Sequence, residues 1–183
     1  MSENSDKYRR AIDGFSAVVE AVPDEKWSAV SPCDGWTARD IVVHVAGGIG
    51  RIYGAGNIGE HADATPKDDE DAVASYVAAR DAALKALTED NLAKVVQGPM
   101  GEMPLDQVIG MFIVPDVLIH SWDLAQCAGN PVSLDEDLVS ETYERLLPLD
   151  AMIRETGVFG PKVDPPADAD LQTKLMCFTG RRV

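Results

Sequence analysis

The sequence predicts an all-α fold: a bundle of packed helices with short additional elements at its C-terminal end. Apolar residues recur every third or fourth position through successive stretches, the spacing of one helix face, and almost nowhere alternate with polar residues as a half-buried strand demands. Capping residues, prolines and glycines punctuate those stretches where helices begin and stop.

The first helix is read from Tyr8, Ile12, Phe15, Val19 and Val22, one apolar stripe ended by Pro23-Asp24. Ser31-Pro32-Cys33-Asp34-Gly35-Trp36 breaks the periodicity and reads as a loop. Thr37 then caps a second helix, with Asp40 completing a capping box and Trp36 and Ile41 at staple positions. That start puts Ile41, His44 and Val45 on the inner face, beside the small residues Ala46, Gly47 and Gly48, and the helix is expected to reach about Tyr53. Residues 54–70 turn Gly-rich, then acidic, and read as a long loop of the kind that covers a site. Val73, Tyr76, Val77, Ala83, Leu84 and Leu87 mark a third helix ending near Asp90-Asn91, and Gly98-Pro99-Met100-Gly101 marks a turn. From Pro104 to Ala128 runs the longest apolar-rich helix, in which Pro115 removes a backbone donor and predicts a kink beside Asp116. Gly129-Asn130-Pro131 stops it. Ser133 with Glu136 predicts a capping box for a further helix through Leu138, Val139, Thr142, Leu146 and Leu149, bent or shortened by Pro148. Gly157 to Pro166 reads as extended, with Leu171, Leu175, Met176 and Phe178 on a short last helix.

Length and composition fit one domain spanning 1–183. A chain of 183 residues can bury a sizeable core, and 45% hydrophobic with 26% charged residues is ordinary for a soluble globule. The formal net charge of -15 argues against nucleic acid or an anionic membrane as partner, since phosphates would be repelled. Cys33, Cys127 and Cys177 are odd in number and form no C-x-x-C pair. That argues against a disulfide framework or a cysteine-rich zinc site and for a reducing, cytoplasmic compartment. The first residues show no basic and apolar signal segment, and no run approaches the roughly 18 consecutive apolar residues of a membrane span.

The richest chemistry lies in Asp116-Val117-Leu118-Ile119-His120-Ser121-Trp122-Asp123. At about 100° of rotation per residue, Asp116, His120 and Asp123 share one helix face while Val117, Leu118 and Ile119 point elsewhere. Such a face suits a divalent metal or a proton relay: an Asp/His pair at i, i+4 offers two ligands, and a third must come from another element. His44 lies in the apolar run Ile41 to Ala46, where an unpartnered imidazole would be costly, whereas His61 beside Glu60 reads as solvated. A structural reading stands beside each, with histidines that bond their neighbours and acids that are simply solvated. Trp36 and Arg51 are the candidates for contact with a bound cofactor or substrate: Trp36 reads equally as a core or staple residue, and Arg51, two helical turns after His44, either shares its face, where it would meet an anion, or lies on the surface. Cys33 and Cys127 both read first as small buried hydrophobes, although Cys33, just before a helix, is also in a position that can acidify a thiol.

Trp27, the run Ser31-Pro32-Cys33-Asp34-Gly35-Trp36-Thr37-Ala38-Arg39-Asp40-Ile41-Val42-Val43-His44, then His120-Ser121-Trp122-Asp123-Leu124-Ala125 with Gly129, and Gly180-Arg181-Arg182 together resemble the DinB/YfiT-like metal-binding superfamily. Within it the chain is most similar to the group related to the N-terminal domain of mycothiol-dependent maleylpyruvate isomerase, over nearly its whole length. The resemblance implies a DinB-like four-helix bundle that holds a divalent metal, zinc first and nickel second. Its ligands would be a histidine on the second helix and an acid-x3-His pair on a later one. Position by position, His44 corresponds to the first ligand, Asp116 to the acid and His120 to the second histidine. Asp123 is then expected to accept a hydrogen bond from a ligand or from metal-bound water. Two departures stand out: Asp116 replaces the expected glutamate and is one methylene shorter, and the chain ends near the close of the bundle, where the isomerase adds a further domain. The second turns the expectation away from maleylpyruvate isomerisation itself.

Three protein ligands leave coordination positions open. Relatives use low-molecular-weight thiols there, and a cation acidifies a bound thiol to a nucleophilic thiolate. The expected chemistry is therefore metal-dependent transfer of a thiol such as mycothiol to a small electrophile, or a related isomerisation, with no protein cysteine as nucleophile. The same ligands would serve a metal-dependent hydrolase, a noncatalytic module for metal or small ligands, or a bundle whose His and Asp merely pair. The expected partners are a small-molecule substrate or thiol, and a homodimer through apolar bundle faces is compatible with the pattern.

Overall fold

A computed structural model describes residues 2–58, 71–98 and 100–183. Residues 59–70 of the loop expected over the site, with His61, lie outside the described residues. Helix α1 (Glu3–Glu20) starts at Ser2, whose hydroxyl accepts from the Ser5 N–H, and buries Tyr8, Ile12, Phe15 and Val19, the stripe read in the sequence. Helix α2 (Ala38–Ala55) begins with the expected Thr37–Asp40 capping box and runs slightly past Tyr53. Helix α3 (Ala72–Lys85) starts from an Asp71 cap. It ends sooner than its apolar pattern implies, because Thr88 caps a separate one-turn helix, α4 (Glu89–Leu92).

Strands β1 (Val95–Gly98) and β2 (Gly101–Pro104) then pair antiparallel, Val95 opposite Pro104 and Gly98 opposite Gly101. This hairpin corrects the reading of the segment as a bare turn. β1 buries alternate residues, yet Val95-Val96-Gln97-Gly98 does not alternate apolar with polar types, so no period-2 pattern shows in the sequence.

The long apolar stretch is three consecutive helical pieces: α5 (Leu105–Val108), a π-turn over Ile109–Ile113, and α6 (Val114–Ala128). The irregularity expected at Pro115 falls upstream of it. The Val114 N–H reaches back to the Ile109 carbonyl across the π-turn, and Pro115 occupies the first turn of α6, where a missing donor costs little. Leu105–Ala128 is long and apolar enough to cross a membrane, but 83% of its apolar 18-residue stretch is buried inside the protein, so its apolar side chains serve the core.

Helix α7 (Glu136–Leu146) corrects the expected cap: Asp135, not Ser133, accepts from the Leu138 N–H. The preceding Leu134 N–H is held by the Gln172 side chain at 2.8 Å, so the chain is still extended there. Pro148 shortens α7 as expected, through a 3-10 turn at Leu147–Leu149. A helix not read from the pattern follows, α8 (Asp150–Thr156), and then α9 (Leu171–Phe178) with its Asp170 cap. Helix α1 packs on α6 and α3, and α2 packs on α3 and α6. These four close a ring around the buried apolar core, with α7 against α6 and α9 against α7.

Candidate metal centre

Because α2 packs on α6, the inner face of one brings His44 to the Asp116/His120 face of the other. His44 Nε2 lies 3.3 Å from Asp116 Oδ1, and His120 Nε2 lies 3.5 Å from the same oxygen. The three donor atoms fall within 4.8 Å of one another. Both separations are long for charge-assisted hydrogen bonds, about 2.7–2.9 Å. They match the edge, about 3.4 Å, of a tetrahedron whose metal–ligand bonds are near 2.1 Å. Two imidazole nitrogens and a carboxylate oxygen are ligands that divalent transition ions take, so these residues fit a divalent ion. Loss of solvent opposes the Asp116 anion, but the bonds with His120 and His44 prevail and hold its carboxyl far below the usual range. Burial likewise opposes a charge on His120, while Asp116 and Asp123 push its pKa well above the ordinary value. The pocket thus favours positive charge beside Asp116.

Behind His120 the second carboxylate takes up its other nitrogen: Nδ1 donates to Asp123 Oδ2 at 2.9 Å. Asp123 is fully buried. Arg181 grips both of its oxygens, Nη2 donating to Oδ2 at 2.7 Å and Nε to Oδ1 at 3.1 Å. Against the cost of burial, the His120 and Arg181 bonds lower the Asp123 pKa. Cys33 completes the cluster, its thiol donating to Asp123 Oδ2 at 3.3 Å and accepting from Arg181 Nη2 at 3.5 Å. Cys33, His120 and Asp123 also bring three donor atoms together, but the Arg181 guanidinium stands among them and its charge repels a cation. Of the other thiols, burial pushes Cys127 up to about 11 and also raises Cys177.

The loop before α2 sets Trp36 in place. Gly35 adopts φ 78°, a conformation open to glycine. The Trp36 N–H then bonds the Cys33 carbonyl at 3.1 Å and the Ser31 N–H bonds the Trp36 carbonyl at 2.9 Å. The indole ends 4.8 Å from the His44 ring and 5.7 Å from the His120 ring, nearly parallel to the latter at 24°. It walls the two histidines. Arg51 is exposed on α2, its guanidinium close to Gly48 of the same helix. Sequence reasoning missed Arg181 as part of the cluster and missed Cys33 beside Asp123. The one local signal was Gly180-Arg181 after the last helix, and a single Gly-Arg pair names no partner.

A helical ring in which one helix brings a histidine beside an acid-x3-His pair on another is the arrangement that the resemblance to the DinB-like superfamily implies. Residues 8–125 match the mycothiol maleylpyruvate isomerase N-terminal domain family, and the chain belongs to it. At 30% identity, with 96% of each chain covered, it is also similar to two Mycobacterium tuberculosis proteins, uncharacterized protein MT0763 of strain CDC 1551 and uncharacterized protein Rv0738 of strain H37Rv. No solved structure matches the chain.

Proposed function

We propose that this protein holds a divalent metal, zinc before nickel, at His44, Asp116 and His120, and serves as a metal-dependent enzyme that joins a small thiol of the mycothiol type to a small electrophile. The observation that supports the metal is the single oxygen, Asp116 Oδ1, set 3.3 Å and 3.5 Å from two imidazole nitrogens. The family's name, which carries mycothiol and an isomerase, supports the thiol. A bound cation would supply the positive charge that keeps a thiol ionised at neutral pH. The chain's own residues do the rest: Asp123 orients His120 from behind, and Trp36 covers the histidines and limits the approach of water.

The test is metal analysis of protein purified without an affinity tag, joined to a thiol-plus-electrophile assay with and without chelator. About one ion per chain is expected from a site with one set of three ligands, lost in His44→Ala and His120→Ala and kept in His61→Ala, together with a thiol-consuming rate that chelation removes. Stoichiometric metal without any metal-dependent rate would point to a noncatalytic binding module. Absence of metal in the wild type would overturn the reading.

A further inference from the structure

We propose that Arg181 is a positioning residue for the metal centre, so that His120 is aligned by the C-terminal end of the chain and not by the helical ring alone. This rests on the metal reading above. The contacts are continuous: Arg181 donates to both oxygens of Asp123, at 2.7 Å and 3.1 Å, and Asp123 accepts from His120 Nδ1 at 2.9 Å. With Nδ1 engaged, Nε2 is the nitrogen that faces Asp116 Oδ1, at 3.5 Å. A carboxylate held by one partner can pivot about its Cβ–Cγ bond, whereas a planar two-pronged guanidinium fixes its plane and with it the imidazole it receives.

Arg181 is itself held. It is 8% exposed, its Nη1 donates to the Thr179 carbonyl at 3.0 Å, and its backbone N–H bonds the Met176 carbonyl at 2.9 Å. Gly180 makes the reversal: its φ is 91°, and a Cβ there would lie 3.1 Å from the Pro161 carbonyl oxygen. Only glycine leaves α9 by this path without strain. The family match over residues 8–125 therefore contains the candidate ligands but not the group that aligns one of them.

The experiment is a double-mutant cycle read by zinc affinity, using a competing chromophoric chelator, on wild type, Arg181→Gln, Asp123→Asn and the double variant. Partners that orient a ligating imidazole are worth about 10–100-fold in affinity. Arg181→Gln is expected to lose that much in the wild-type background and little more once Asp123→Asn has broken the link. Equal losses in both backgrounds, or none in Arg181→Gln, would overturn the proposal. Should Arg181→Gln fail to fold, Arg181→Lys keeps the charge without the fork, and wild-type affinity in that variant overturns it equally. Imidazole NMR of the metal-free protein separates this from the metal reading. The His120 Nδ1–H proton, protected from exchange in wild type, is expected to exchange faster in the Arg181 variants. If wild type binds no zinc and this proton responds, the metal reading falls and the positioning role stands; if it does not respond, the positioning role falls.

Discussion

Asp116 is the hinge of the candidate site at the scale of single residues. Although one methylene shorter than the glutamate the resemblance leads one to expect, its Oδ1 lies within 3.5 Å of both histidines. The Asp116/His120 pair was legible in the sequence because both residues sit on one helix, where pitch alone fixes their relation. His44 was legible as an imidazole in an apolar run. Cys33 had only its place before a helix to recommend it, and its contact with Asp123 spans 90 positions, beyond any local pattern. That contact makes Cys33 a donor to a buried carboxylate. A Cys33→Ser, Cys127→Ser, Cys177→Ser triple variant keeps a donor at position 33, so it is expected to retain zinc and any chelator-sensitive thiol-transfer rate. Loss of rate in the metal-replete triple variant would make a protein cysteine the nucleophile and sink the metal-delivered mechanism.

At the scale of elements, two chain reversals decide where the site groups point. The Thr37–Asp40 capping box sets the phase of α2 and hence the direction of His44, and it was readable because all its residues lie within one turn. The π-turn before α6 was not. Within it the Gly110 carbonyl accepts from Arg145 of α7, a tertiary contact that the Pro115 signal does not announce. Gly180 is the second reversal. Gly180→Ala forces a side chain into a left-handed backbone and against the Pro161 carbonyl, so stability is expected to fall by about 1–2 kcal/mol, read as a lower urea midpoint. Zinc affinity should fall with it, since Arg181 would leave Asp123. A variant with reduced stability and undiminished affinity would uncouple the two.

For the molecule as a whole, three helices bury a tyrosine each in the shared core: Tyr8, Tyr53 and Tyr76. Burial, the largest influence on all three, raises each pKa above the ordinary 10.0, Tyr76 up to about 12. The folded phenols keep their protons where the unfolded chain has begun to lose them, so the unfolded state binds fewer protons and stability falls as pH rises. Stability is therefore expected to be fully present below about pH 10 and to be lost progressively as pH climbs toward the folded values, in urea midpoints measured across that window. Tyr76 shares a hydrogen bond with Ser16 at 2.8 Å, whereas the Tyr53 hydroxyl has no partner among the described residues. Tyr53→Phe is expected to leave neutral-pH stability unchanged or raised and to shallow the alkaline loss. An unchanged alkaline slope would mean that Tyr53 titrates normally.

The sequence by itself determined the helical class, the start of α2 and the Asp116/His120 pair, because apolar periods, a capping box and i, i+4 spacings act within one or two turns of chain. Only the tertiary structure decided the hairpin, the π-turn, the true cap of α7, the ring of α1, α2, α3 and α6, and the cluster that joins Cys33, Asp123 and Arg181. Arg181 meets Asp123 across 58 positions and Cys33 across 148. Such contacts follow from how the helix faces pack once formed, and no periodicity along the chain encodes which distant residue will fill the space beside a buried carboxylate.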